Sequence, residues 1–142
     1  MVAVKDAKLD LLRKVPLFSG CSSSSIAEIG TLTEEIDVPA GKVLMRQGET
    51  GEEFFLIVSG RVRIERNGRQ LDSLGPGDFL GEISLVDGQP RSATATAEEA
   101  SRLIVIAHRE FHSLLDSNPG IQKRVMISLA ERVRRLEPEV AH

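Results

Sequence analysis

Seven glycines, Gly41, Gly48, Gly51, Gly60, Gly68, Gly75 and Gly77, cut the middle of the chain into short apolar segments. Ile36-Asp37-Val38, Lys42 to Met45, Phe54 to Ser59, Arg61 to Glu65, Gln70 to Leu74, Ala93 to Ala97 and Arg102 to Ala107 are too short for ordinary helices. Turn residues bound them on both sides, which predicts strands. Arg61-Val62-Arg63-Ile64-Glu65 alternates polar and apolar side chains, as a half-exposed strand does, and Asn67-Gly68 is a strong hairpin signal. Seven or eight short strands at this spacing predict a β-sandwich or a barrel of jelly-roll type.

Helical patterns flank this region. Leu9, Leu11, Leu12 and Val15 form a short stripe that stops at Pro16. Ser22 to Ser25 supply N-cap candidates for a second helix carrying Ile26, Ile29 and Leu32. After Ala107, Phe111, Leu114 and Leu115 mark a helix that Pro119 ends. Ile121, Val125, Leu129, Val133 and Leu136 then make an apolar stripe at helical spacing, with Lys123, Arg124, Arg132, Arg134 and Arg135 on the other side. The expected architecture is mainly β with flanking α-helices, in one domain over residues 1–142. Residues 1–32 form the N-terminal helices, 33–107 the β-barrel and 108–137 the C-terminal helices.

Composition excludes several classes. With 142 residues, 41% of them apolar, the chain is long enough to bury a core. A net charge of −3 gives no overall attraction to nucleic acid or anionic membrane. Cys21 is the single cysteine and cannot form an internal disulfide; with no His or metal-ligand spacing beside it, it reads as a semi-buried structural thiol. The runs Phe54 to Val58 and Leu103 to Ala107 fall far short of the ~20 residues a spanning helix needs, and Met1 to Asp6 lacks a signal-peptide pattern. The expectation is therefore a cytoplasmic protein with no membrane segment. His108, His112 and His142 are the three histidines; the first two are four apart, but no third ligand has suitable spacing, so no metal is expected. Neither a nucleophile with a placed base nor a Walker-type loop is present, so the chain is not expected to be an enzyme. No helix-turn-helix follows the basic helix before Pro138 to His142, and nucleic-acid binding is not expected either.

Residues 79–93 concentrate the remaining chemistry. In Phe79-Leu80-Gly81-Glu82-Ile83-Ser84-Leu85, Gly81 lets the backbone approach closely, and the residues after it read as one helical turn. Its N–H groups and positive dipole end favour an anion. Arg91 adds a planar guanidinium suited to phosphate oxygens, and Glu82 and Ser92 add an acid and a hydroxyl. A ribose phosphate fits this set. Taken alone, Arg91 is an ordinary strand arginine and Glu82 an ordinary helix-start carboxylate.

The ordered set of motifs resembles the cyclic nucleotide-binding domain family, which includes catabolite activator protein, protein kinase A regulatory subunits and cyclic-nucleotide-gated channels. Val15-Pro16-Leu17-Phe18 resembles the family's opening, and Gly41-Lys42-Val43-Leu44, Gln47-Gly48-Glu49 and Ser59-Gly60-Arg61-Val62 its barrel. Gly77 to Leu85 through Pro90-Arg91-Ser92-Ala93-Thr94 resembles its phosphate-binding cassette. The resemblance implies a jelly-roll β-barrel (a double-stranded β-helix) with N-terminal helices and a C-terminal lid helix. It implies that Arg91 pairs with the cyclic phosphate, with the amides of Ile83, Ser84 and Ala93 and the Ser92 hydroxyl completing the cradle behind Gly81. Glu82 would accept from the ribose 2′-hydroxyl. Val62, Ile64 and Leu71 would line the base, although such residues are more often plain core. By the same resemblance Arg132, Arg135 and Leu136 are candidates to reach the ligand or cover the purine, or else belong to a solvated basic face. Ser92 is compatible with either base; the expected ligand is cAMP, with cGMP possible. Nucleotide binding would swing the final helix over the base, and the expected partner is a separate effector protein or a missing effector domain.

Overall fold

A computed structural model describes residues 4–18, 20–81 and 88–136, apart from the side chains of residues 4–7, 16, 132, 135 and 136. The chain divides into two compact units, residues 31–112 and residues 1–30 with 113–142.

The first unit is built from eight strands: β1 (Thr33–Val38), β2 (Val43–Met45), β3 (Glu53–Ser59), β4 (Val62–Arg66), β5 (Arg69–Leu74), β6 (Phe79–Leu80), β7 (Thr94–Ala97) and β8 (Ser101–Ala107). They form two four-stranded antiparallel sheets, ordered β1-β8-β3-β6 and β2-β7-β4-β5. This alternation of strands between two sheets is the jelly-roll arrangement expected from the glycine spacing. Central strands differ from edges as their sequences require. Phe54 to Ile57 in β3 and Leu103 to Ile106 in β8 are buried on both faces, so their apolar runs are continuous. Phe55, Ile57, Leu103 and Val105 turn toward the shared core with Val62 and Leu80. On the opposite face of β3, Phe54 stacks on Phe111 with ring centroids 4.4 Å apart and meets Phe79 at 5.4 Å.

The β4–β5 hairpin closes at Asn67-Gly68, both residues having positive φ (53° and 78°), the geometry of a two-residue turn that follows the strand twist. Further back the pairing slips: Ile64 faces Asp72 but Glu65 faces Gln70, leaving Leu71 as an extra residue in a bulge. β6 goes beyond the segments expected from sequence. Its two residues, the first of the 79–93 segment, pair with Leu56 and Phe55 and lead directly to Gly81.

In the second unit, α1 (Val4–Lys14) is followed by a 3-10 turn (Pro16–Phe18) and α2 (Ser23–Thr31). Ser22 caps α2, its Oγ accepting from the Ser25 amide at 3.1 Å. Leu32, expected in this helix, lies beyond its end. A Cβ on Gly30 would sit 2.7 Å from Leu9, so glycine allows α1 and α2 to close on each other. α3 (His108–Ser117) runs across the division between the units, and α4 (Pro119–Leu136) completes the chain's described helices. The Asn118 amide donates back to the Leu114 carbonyl at 3.0 Å while its own carbonyl accepts from Ile121 and Gln122. Asn118 thus ends one helix and begins the next, with Pro119 at the first position of α4, where its missing N–H costs nothing.

Candidate functional site

Arg91 is only 6% exposed, an unusual place for a guanidinium. Nη1 donates to the Gly81 carbonyl at 3.0 Å and Nη2 to the Glu53 carbonyl at 2.6 Å. These bonds fix the plane and direction of the guanidinium fork. The backbone of Arg91 is held as firmly: its N–H donates to Glu49 at 2.8 Å and its carbonyl accepts from Gly48 at 2.9 Å.

Gly81 explains why this packing needs glycine. Its φ is +97°, and a Cβ there would lie 2.7 Å from the Glu53 carbonyl oxygen and 2.9 Å from Arg91 Nη1. The sequence suggested close approach to a ligand; the structure adds that the chain's own arginine and β3 already crowd the position.

Of the other residues singled out from sequence, Ser92 is half-buried and Ala93 is buried beside Arg91 at the entry to β7. Val62 is fully buried within the barrel core, and Ile64, two residues on along β4, is partly buried against the same cluster. Leu71 is half-buried at the β5 bulge. Glu82, Ile83 and Ser84, and the side chains of Arg132, Arg135 and Leu136, lie outside the described residues. Glu53 was missed by sequence reasoning because it acts through its carbonyl, which every residue type possesses.

The apolar stripe of α4 falls on one helix, as expected, and is covered unevenly. Ile121 and Val125 are buried and Leu129 is half-buried, but Val133 is 50% exposed, as are Met126 (68%) and Ile127 (46%). Among the described side chains the stripe is buried in the first turns of the helix and exposed at Val133. Lys123, Arg124 and Arg134 are exposed, as expected of its basic side. Within the helical unit a cleft of about 530 Å³ is lined by Leu17, Cys21, Ser25, Asn118, Ile121 and Arg124, among others. Burial pushes the Cys21 thiol up, with Arg124 pulling weakly the other way, which suits a protonated structural thiol.

His108 and His112 stand one turn apart on α3 with ring centroids 4.5 Å apart. Among the described residues no group of three or more His, Cys, Asp or Glu is placed to hold a metal ion. No described helix is long and apolar enough to cross a membrane.

Residues 35–118, more than half of the chain, match the family model of the cyclic nucleotide-binding domain. A cyclic nucleotide-gated potassium channel of Rhizobium etli is 37% identical over 122 residues, covering 86% of this chain and 34% of the channel. A CRP-like cAMP-activated global transcriptional regulator of Mycobacterium tuberculosis is 31% identical over 137 residues, covering 93% of this chain and 61% of the regulator. The crystal structure of Thermus thermophilus catabolite activator protein superposes with a TM-score of 0.77 at 32% identity, over 88% of this chain and 61% of that one. The chain thus spans between a third and about three fifths of these relatives. With its eight-stranded jelly roll and the buried arginine after β6, the chain belongs to the cyclic nucleotide-binding domain family.

Proposed function

We propose that the chain is a cAMP-binding regulatory module that acts by binding and has no catalytic role. The observation that carries this reading is the buried Arg91 fork, oriented by the Gly81 and Glu53 carbonyls in a chain of this family. A guanidinium placed in this way suits the exocyclic oxygens of a cyclic phosphate. Ser92 and the amides of Ala93, Ile83 and Ser84 complete the cradle behind Gly81. Glu82 accepts from the ribose 2′-hydroxyl, and Val62, Ile64 and Leu71 face the base. Ser92, with its short unbranched hydroxyl, tolerates both purines, and cAMP is the preferred ligand. A tenfold preference for cGMP in paired titrations would reverse that choice.

The output is a population shift. Nucleotide favours an arrangement in which α4 covers the base through Arg132, Arg135 or Leu136, and the shift is limited to the ligand's differential affinity for the two arrangements. The exposed Met126, Ile127 and Val133 support this reading, since a helix with uncovered apolar residues gains by finding cover. The response passes to a cytoplasmic effector, either a separate protein or another domain of the same polypeptide, without direct contact to nucleic acid or membrane.

Titration calorimetry with cAMP tests the site. Arg91→Ala should weaken binding roughly ten- to a thousandfold. Equal affinity of this variant and the parent chain would refute the assignment.

A further inference from the structure

Three stretches distant in sequence meet beside Arg91. Gln47 lies in the loop whose next two residues, Gly48 and Glu49, bond the Arg91 backbone. Its side-chain amide pairs with the tip of the β4–β5 hairpin in two directions: Nε2 donates to Asn67 Oδ1 at 3.0 Å, and the Asn67 backbone N–H donates to Gln47 Oε1 at 2.9 Å. The Gln47 backbone amide donates to Thr94 Oγ1 at 3.0 Å. From the same hairpin, Arg66 Nε donates to the Ser92 carbonyl at 3.0 Å. The segment carrying Arg91, Ser92 and Ala93 is therefore held from the Gln47 loop on one side and from the hairpin on the other.

We propose that Gln47, clamped to Asn67, is a positioning residue for the phosphate site: it fixes the 91–94 backbone, and so raises nucleotide affinity, without touching the nucleotide. The proposal rests on the reading of Arg91 as the phosphate ligand. Its physical basis is preorganisation, since a segment ordered before binding loses less freedom on binding. The turn conformation makes the device specific. Asn67 is the one described non-glycine residue with positive φ, and asparagine both tolerates that conformation and offers the amide oxygen that Gln47 Nε2 needs. Glycine would keep the turn and the backbone bond to Gln47 Oε1 but lose the bond from Gln47 Nε2.

Gln47→Ala removes both bonds of the clamp, Asn67→Gly removes the one that Asn67 Oδ1 accepts, and the double variant closes the cycle. Gln47→Ala should weaken cAMP binding about three- to tenfold, because the bonds are exposed and each contributes little net free energy. The double variant should lose no more than Gln47→Ala alone. Hydrogen exchange in the ligand-free chain supplies a readout that general destabilisation would not give. The amides of Gly48 and Arg91 should exchange faster in Gln47→Ala, while those of Leu103 to Ile106 and the denaturant midpoint stay as in the parent. Parent-like affinity of Gln47→Ala, with unchanged exchange at Gly48 and Arg91, overturns the clamp and leaves the Arg91 reading standing. So do losses that simply add in the double variant. A parent chain that binds neither cAMP nor cGMP overturns the site reading and the clamp with it.

Discussion

The Arg91 segment and the far half of α4 both carry basic side chains, yet the molecule treats them oppositely. Arg91 is buried, its side chain tied to two carbonyls and its backbone to Gly48 and Glu49. Beyond Val125, α4 exposes Met126, Val133 and Arg134 to solvent. One region has its geometry settled before any ligand arrives. The other retains apolar surface whose burial would stabilise a different arrangement. Under the proposed function this difference would divide the labour of a receptor between a fixed part that receives the nucleotide and a marginal part that reports it.

The division breaks first on stability. Phe54→Ala removes the ring that stacks on Phe111 and meets Phe79 at a tilt, and should cost about 3–5 kcal/mol in denaturant unfolding. Val133→Ala, at an exposed position, should stay within about 0.5 kcal/mol. Comparable losses from the two would erase the contrast. Next in size is Gly81→Ala, which forces a Cβ toward the Glu53 carbonyl at positive φ and should destabilise by about 1–3 kcal/mol. Because the displaced group is Arg91, cAMP affinity should fall with it, and calorimetry that found affinity intact would detach Gly81 from the site.

Truncation after Glu131 sharpens the reporting half of the comparison. Without the last turns of α4, cAMP should bind about three- to tenfold more weakly, with the barrel's unfolding midpoint unchanged. The smallest effect belongs to the edge of the sheet opposite β6. There Arg102 donates to Asp37 at 3.0 Å across β8 and β1, and this hydrogen bond holds the Asp37 carboxyl below its ordinary value against a small opposing effect of desolvation. A depressed folded value contributes stability above the unfolded carboxylate range, about 3.9, and that contribution fades as pH falls through the lower folded value. Asp37→Asn should therefore slightly flatten the acid limb of the stability profile while leaving cAMP affinity unchanged at pH 7. An altered affinity would show that the edge and the site are coupled.

Much of the barrel was legible because its signals are local. Asn67-Gly68 fixes a turn by its own conformational preference, and the continuous apolar runs at Phe54 and Leu103 mark strands buried on both faces. Arg91 and Gly81 stood out because few residue types suit their environments. What escaped depends on pairing between distant segments. β6 is two residues long and has no period of its own; it exists because Phe55 and Leu56 present a partner. The Leu71 bulge is a mismatch between strand lengths and leaves no mark in either strand alone. The Glu53 carbonyl and the Gln47 clamp are likewise products of the fold. On α4 the period was legible and the cover was not, since helical spacing shows which residues share a face and is silent on what covers it.

The most direct test is a cAMP titration of the isotopically labelled chain followed by backbone NMR. The account predicts that the amides of Gly81, Arg91, Ser92 and Ala93 shift on saturation, that those from Ile121 to Leu136 shift with them, and that those from Glu34 to Asp37 stay in place. Saturating cAMP that left Gly81 to Ala93 and α4 unmoved would contradict it.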